Sequence, residues 1–244
     1  PWQVYARPFD AKDTRPRLAI VVAGLGLDVK ATAAAIADLP PAVSLAFSPY
    51  AHDLDALIAA ARAKGHEVLL GLPLEPADYP DRDPGPDTLL TALTPQQNLA
   101  RLRRIMGRGA DYVGFLTVMG DRFTADSASI EPVLQALKAR GLLYIDDAGP
   151  ETSAAGRLAR ALGMAWAVTD RRLDTEPEAT AVDQVLADLE RQARAQGAAL
   201  GLGRLYPVTV AQVSAWAKTL DAKGVALAPA SAIVHRQMLP DQHK

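Results

Sequence analysis

Helix-forming stretches that end at glycine and pass at once into a short apolar run recur along the chain, as AKGHEVLLGL, ARGLLYID, ALGMAWAV, AQGAALGL and AKGVALAP. Glycine is the residue best suited to the left-handed position that closes a helix. The runs after Gly65, Gly141, Gly163, Gly197 and Gly224 have strand length, so each junction predicts a helix-to-strand turn. RLAIVV (17–22), AVSLAF (42–47) and DYVGFL (111–116) bring the expected strands to about eight. Helices are expected near 28–38, 53–64, 95–106, 126–140, 153–162, 178–196 and 209–222. Thr94 with Gln97, and Thr209 with Gln212, have capping-box spacing, and Pro95 suits a first helical position. The strands are apolar without polar alternation, which predicts a mostly parallel sheet covered by helices, either closed as a barrel or open and doubly wound. The Pro- and Asp-rich EPADYPDRDPGPDT (75–88) is the longest irregular stretch, a surface loop and a candidate lid or rim.

Composition narrows the partners. With 22% charged residues and a formal net charge of -2 over 244 residues, no overall basic field favours nucleic acid. The absence of cysteine excludes disulfides, thiolate catalysis and cysteine-ligated zinc. No window approaches the roughly 20 apolar residues of a membrane span. The chain starts at Pro1 rather than Met, which reads as processed or truncated, so membrane attachment is expected only through a missing N-terminal anchor. Residues 1–16 read as an N-terminal extension or linker, 17–234 as one (β/α) unit and 235–244 as a polar tail.

The order of short segments is more specific than any one of them. From LAIVVAGLGLD through VSLAFSPYA, GHEVLLGLPLEP, GFLTVMGDRFTAD, GLLYIDDAG and LGRLYPVT to GVALAPAS, the chain resembles the divergent polysaccharide deacetylases, relatives of the NodB-type deacetylases. The resemblance implies a single distorted (β/α) barrel of about seven to eight mostly parallel strands, an extracytoplasmic or periplasmic setting, and carbohydrate chemistry. It also marks where this sequence departs. The family's strand-one Asp-Asp pair stands here as Ala23 and Gly24, its histidine before Leu-Pro-Met-Glu as Gly71, and its Asn-Asn-His-Met-Gly-Ser segment as Leu116 to Asp121, with Val118 in place of the histidine. The family's Gly-His-Pro becomes Gly203, Arg204 and Leu205.

Metal-assisted deacetylation needs an ion to polarise the amide and activate water, a carboxylate base, and an acid for the leaving amine. Ala, Gly and Val supply no ligands, so no catalytic residue, no metal and no cofactor are expected. His66 sits at a helix-strand junction and reads as structural; His52, His235 and His243 lie in a loop and in the tail. Gly24 and Gly26 do not complete a dinucleotide fingerprint, and neither a nucleophile elbow nor a P-loop occurs. Asp146 and Asp147 offer two acids, as a glycosidase needs, but neighbours on a strand point to opposite faces.

Residues at strand carboxyl ends line the functional face of such barrels. Glu75, Asp121, Asp146, Asp147, Arg204 and Tyr206 are therefore candidate lining for a remnant pocket that binds a glycan or peptide, with Asp174 and Trp166 nearby. The competing reading is that these groups neutralise one another in a filled pocket. Arg101, Arg103, Arg104 and Arg108, on an amphipathic helix, are a candidate docking surface for an acidic partner such as a cell-wall regulatory protein. The expectation is a catalytically inactive, deacetylase-like protein of the bacterial envelope near peptidoglycan. The alternatives are an active deacetylase or hydrolase using other residues, and a structural interaction module.

Overall fold

The computed structural model describes residues 2–147 and 152–237. All five junction glycines adopt positive φ and pass the chain from helix to strand. The strands are β1 (Arg17–Leu25), β2 (Ser44–Phe47), β3 (Val68–Leu74), β4 (Gly114–Met119), β5 (Leu143–Asp146), β6 (Trp166–Val168), β7 (Arg171–Arg172), β8 (Ala198–Arg204) and β9 (Ala226–Ala228). They form one sheet in the order β6-β5-β4-β3-β2-β1-β8-β7, with β9 against β1, and all pairings are parallel. This is the distorted (β/α) barrel, and the open doubly wound arrangement does not form.

The ring closes through one segment, 166–172. Its first half, β6, pairs with β5 and its second half, β7, pairs with β8. Between them the Thr169 N–H donates to the Asp146 carbonyl at 2.8 Å and the Asp170 N–H to the Leu200 carbonyl at 2.9 Å. The Asp170 carboxylate accepts the Leu200 N–H at 2.7 Å. The Gln237 amide acts as a one-residue strand, accepting the Val168 N–H and donating to the Val168 carbonyl, both at 2.8 Å.

Alternation along the strands sends one set of side chains inward and the other toward the helices. Ala19, Val21, Leu69, Leu116, Ile145, Leu200 and Leu202 belong to the inner cluster. Leu18, Ile20, Val22, Leu70, Phe115 and Tyr144 belong to the outer one, packed beneath the helices. Burying each such Leu, Ile or Phe contributes roughly 1.5–3 kcal/mol. The helices that matter below are α1 (Trp2–Tyr5), α2 (Val29–Asp38), α3 (Leu54–Ala63), α4 (Pro95–Met106), α5 (Asp121–Ala125), α6 (Ser127–Ala139), α7 (Ala155–Leu162), α8 (Ala179–Gln196) and α9 (Pro207–Ala217). The Thr94–Gln97 capping box forms as expected at the start of α4. Thr209–Gln212 does not cap: α9 begins earlier, after Tyr206, and the Thr209 hydroxyl instead donates to Asp174 at 2.8 Å. Among the described residues no helix is long and apolar enough to cross a membrane.

The lower end of the barrel is closed by chain from both termini. Trp2, Tyr5 and Ala6 pack against the inner cluster, and the 3-10 turn Ala230–Ile233 lies beside them. Glu67, 1% exposed, ties these pieces together. It accepts the Arg7 N–H at 3.3 Å, the Ser44 hydroxyl at 3.2 Å and the Ser231 N–H at 3.0 Å. Burial pushes its carboxyl above the ordinary value of 4.5, against the pull of the Ser231, Arg7 and Ser44 donors. The folded state therefore binds this proton more tightly than the unfolded state. The stability it contributes is present below 4.5 and is lost as pH rises through the raised folded value. Urea unfolding of wild type and Glu67→Gln between pH 4.5 and 7.5 should show the difference in unfolding free energy moving against wild type as pH rises. A difference independent of pH contradicts the assignment.

Candidate functional site

The inward alternation sets which residues reach the upper, carboxyl end of the barrel. It carries β1 to Ala23, β3 to Gly71, β4 to Val118, β5 to Asp147 and β8 to Arg204. Ala23 is half-buried and packs against the inner cluster. Gly24 is exposed at φ +86, where the β1–β2 register shifts. A side chain there would meet open space but sit in a conformation costly for anything but glycine. Gly71 is overlain by Val118: a Cβ built on Gly71 would lie 2.9 Å from the valine Cγ2. This side of the mouth is therefore a small apolar floor.

The opposite side is charged. Asp147 faces the mouth, while Asp146, 1% exposed, stands on the helix side. Arg172 grips Asp147 through both oxygens, Nε to Oδ1 at 3.2 Å and Nη2 to Oδ2 at 2.8 Å, and also donates to its carbonyl at 3.0 Å. Burial pushes the Asp147 carboxyl up, opposed by the Arg172 guanidinium. Asp174, 6% exposed, accepts the Arg204 backbone N–H at 2.6 Å and the Thr209 hydroxyl. Both acids are thus committed to the frame. The Arg204 guanidinium is exposed and donates only to the Tyr206 hydroxyl at 3.2 Å; it makes no ion pair among the described residues. In the β1–β8 register, Ala23 is its neighbour.

The other candidates lie around the mouth or away from it. Glu75 is buried beyond β3, accepting the Thr91 N–H at 2.5 Å, the Thr91 hydroxyl at 2.7 Å and the Arg122 Nη1 at 3.2 Å. Burial works to raise its carboxyl, but the Thr91 and Arg122 donors outweigh it and leave the group below its ordinary value. Asp121, at the start of α5, accepts the Ala77 N–H at 3.2 Å. Both acids therefore shape the 75–91 loop. Trp166 points outward into the helix-side core. Arginines of the α4 region fasten the same loop: Arg104 pairs with Asp87 at 2.8 Å, Arg108 approaches it at 4.0 Å, and Arg101 donates to the Thr88 carbonyl. Arg103 is exposed and makes no such contact among the described residues. His66 sits between the carbonyls of Val43 at 2.9 Å and Ile36 at 3.2 Å, at the amino end of β3. His52 is exposed beside Asp53, and His243 lies outside the described residues.

Sequence reasoning missed Arg172, the partner that occupies Asp147. The only signal was its place in TDRRLD, just after a strand. A groove of about 440 Å³ between α2 and α9, lined in part by Ala31, Asp38, Pro207, Val210 and Lys218, lies on the outer surface.

A divalent ion does not fit this donor set. Ala23, Gly24, Gly71 and Val118 present no side-chain nitrogen or oxygen, and among the described residues no three His, Asp or Glu groups converge to hold a metal.

The profile of a family described as divergent polysaccharide deacetylase matches residues 20–234. An uncharacterised protein of Agrobacterium tumefaciens C58 has a crystal structure similar to this chain, with 38% identity, a TM-score of 0.93, and 96% of this chain and 95% of that one covered. The catalytic domain of a peptidoglycan N-acetylglucosamine deacetylase from Eubacterium rectale shares the fold at 14% identity and a TM-score of 0.56, covering 93% and 94%. An uncharacterised protein of Haemophilus influenzae is 26% identical over 204 residues, 84% of this chain and 72% of that protein.

The packing of the floor is directly testable. Gly71→His should lower the unfolding free energy by about 1–3 kcal/mol, because the new Cβ collides with Val118. Val118→Ala in the same chain should recover most of that loss. Chemical denaturation showing the single variant as stable as wild type would sink this account of the floor.

Proposed function

Because the chain belongs to the divergent polysaccharide deacetylase family, we propose that it keeps the family's barrel as a glycan-binding scaffold in the bacterial envelope and carries out no deacetylation. One observation carries the reading: the positions that resemble the family's base and metal ligands hold Ala23, Gly24, Gly71 and Val118, beside a mouth that still presents a charged Arg204. Hydrolysis of an acetamide needs a group that activates water and one that protonates the departing amine. The acids at this mouth are already engaged, Asp147 by Arg172 and Asp174 by Arg204 and Thr209.

A site of this kind can bind and orient without turning over. Small side chains at the floor admit the faces of sugar rings, and Tyr206, 36% exposed, stands at the edge where such a face stacks. The name of the Eubacterium rectale neighbour, a peptidoglycan deacetylase, favours an envelope polysaccharide as the ligand and an extracytoplasmic location. Regulation of a cell-wall enzyme through the α4 arginines has less support, since Arg101, Arg104 and Arg108 already serve the 75–91 loop.

The test pairs chemistry with binding. Incubated with acetylated chitooligosaccharides and peptidoglycan fragments, with and without added zinc, nickel or cobalt, the protein should release no acetate above buffer. Calorimetry with peptidoglycan-derived oligosaccharides should give saturable heats. Metal-dependent acetate release overturns the inactive reading, and the absence of any heat overturns the binding one.

A further inference from the structure

Hydrogen-bonding capacity at the mouth is spent unevenly, and most of what is left open sits on Arg204. Arg172 is matched by Asp147 in a two-oxygen grip, while Asp174 accepts the Arg204 backbone N–H and the Thr209 hydroxyl on one oxygen, Oδ2, and keeps its charge. Asp170, the next acid along, accepts from the Leu200 N–H and from the side-chain amides of Gln192 and Gln237. Among the described residues the Arg204 guanidinium has one hydrogen-bond partner, the Tyr206 hydroxyl, with its Nε and Nη2 donors unengaged; the charges of Asp174 and Asp147 reach it only at longer range. The residue beside it on the adjoining strand is Ala23. Neighbouring parallel strands run about 4.8 Å apart, so a carboxylate at that position would stand within reach of the guanidinium. The methyl of alanine leaves that place apolar and unoccupied by charge.

We propose, resting on the glycan-binding reading above, that the ligand brings a carboxylate to these open donors: this mouth selects an acidic saccharide, one bearing a carboxylate on the sugar or on an ether substituent, over a neutral one. The carboxylate lies over Ala23 and takes the open donors of Arg204 as a planar, two-pronged pair. The sugar ring lies toward the small floor of Gly71 and Val118, with Tyr206 at its edge. Leu27, on the turn that leaves β1, and Val29, at the start of α2, are both exposed. Neutral sugars meet the floor and Tyr206 but leave the guanidinium to water, so they gain no ionic contact.

Three probes of equal length separate the outcomes by calorimetry at low and high salt. They are a peptide-free N-acetylglucosamine–N-acetylmuramic acid oligomer with free lactyl carboxylates, the same oligomer with those carboxylates converted to amides, and a neutral N-acetylglucosamine oligomer. The acid should bind at least about tenfold more tightly than either neutral probe, and the preference should shrink as salt rises. Arg204→Gln should abolish the preference. Ala23→Asp should do the same from the opposite side by giving Arg204 an internal partner, whereas the isosteric Ala23→Asn should retain most of it; circular dichroism checks that each variant is folded. Equal binding of acid, amide and neutral oligomers overturns the proposed selectivity while leaving glycan binding standing. Failure of all three probes to bind overturns both. A preference that survives in both Arg204→Gln and Ala23→Asp also overturns it, because the selectivity then resides elsewhere.

Discussion

A parallel barrel must return its last strand to its first neighbour, and here that return is made by a single short segment shared between two strands. Residues 166–172 satisfy β5 with their first half and β8 with their second. The break at Thr169 and Asp170 is bridged by backbone bonds, the Asp170 carboxylate and the Gln237 side chain. The Asp147–Arg172 contact at the mouth runs across this seam, because Asp147 follows β5 and Arg172 belongs to β7. The distance between the two sides of the mouth therefore follows from ring closure. Arg204, at the end of β8, takes its position from the same ladder.

The polar groups divide by duty. Acids near the seam and the mouth are spent on the frame: burial pushes Asp147 and Asp170 up, and each is held by donors from a different element. Half-exposed arginines on the rim gain little from their pairs taken singly. Their value lies in geometry, because Arg104 with Asp87 and Arg122 with Glu75 help to fix an irregular loop that is anchored in the core by Leu89. What is left at the mouth is one guanidinium with open donors, and its chemical meaning depends on the apolar residue beside it.

Much of the fold was legible because it rests on local chemistry. Glycines that close helices and the apolar runs behind them mark strand after strand without any knowledge of contacts, and the barrel follows from their alternation. The site was legible only in outline. Strand parity told that Asp146 and Asp147 face opposite ways, but the choice between them depends on where β5 enters the sheet, a matter of register. Thr209 carried a capping pattern and was drawn instead to Asp174, a buried acid thirty-five residues away in the chain. The α4 arginines read as a free basic face because their partners, Asp87 and the Thr88 carbonyl, lie in a loop whose path no periodicity describes. Gln237 and Glu67 gave no signal at all, since a polar residue acquires a structural role only from what surrounds it after folding.

The contact between Gly71 and Val118 reaches into how such a chain changes over generations. A side chain at 71 needs room that the valine occupies. The order of change therefore matters: a lineage that adds a side chain at 71 while valine still stands at 118 crosses a less stable form. With Gly24 held at a backbone angle that disfavours other residues, the apolar floor behaves as a ratchet: drift can decorate the rim freely, while the floor resists piecemeal reversal.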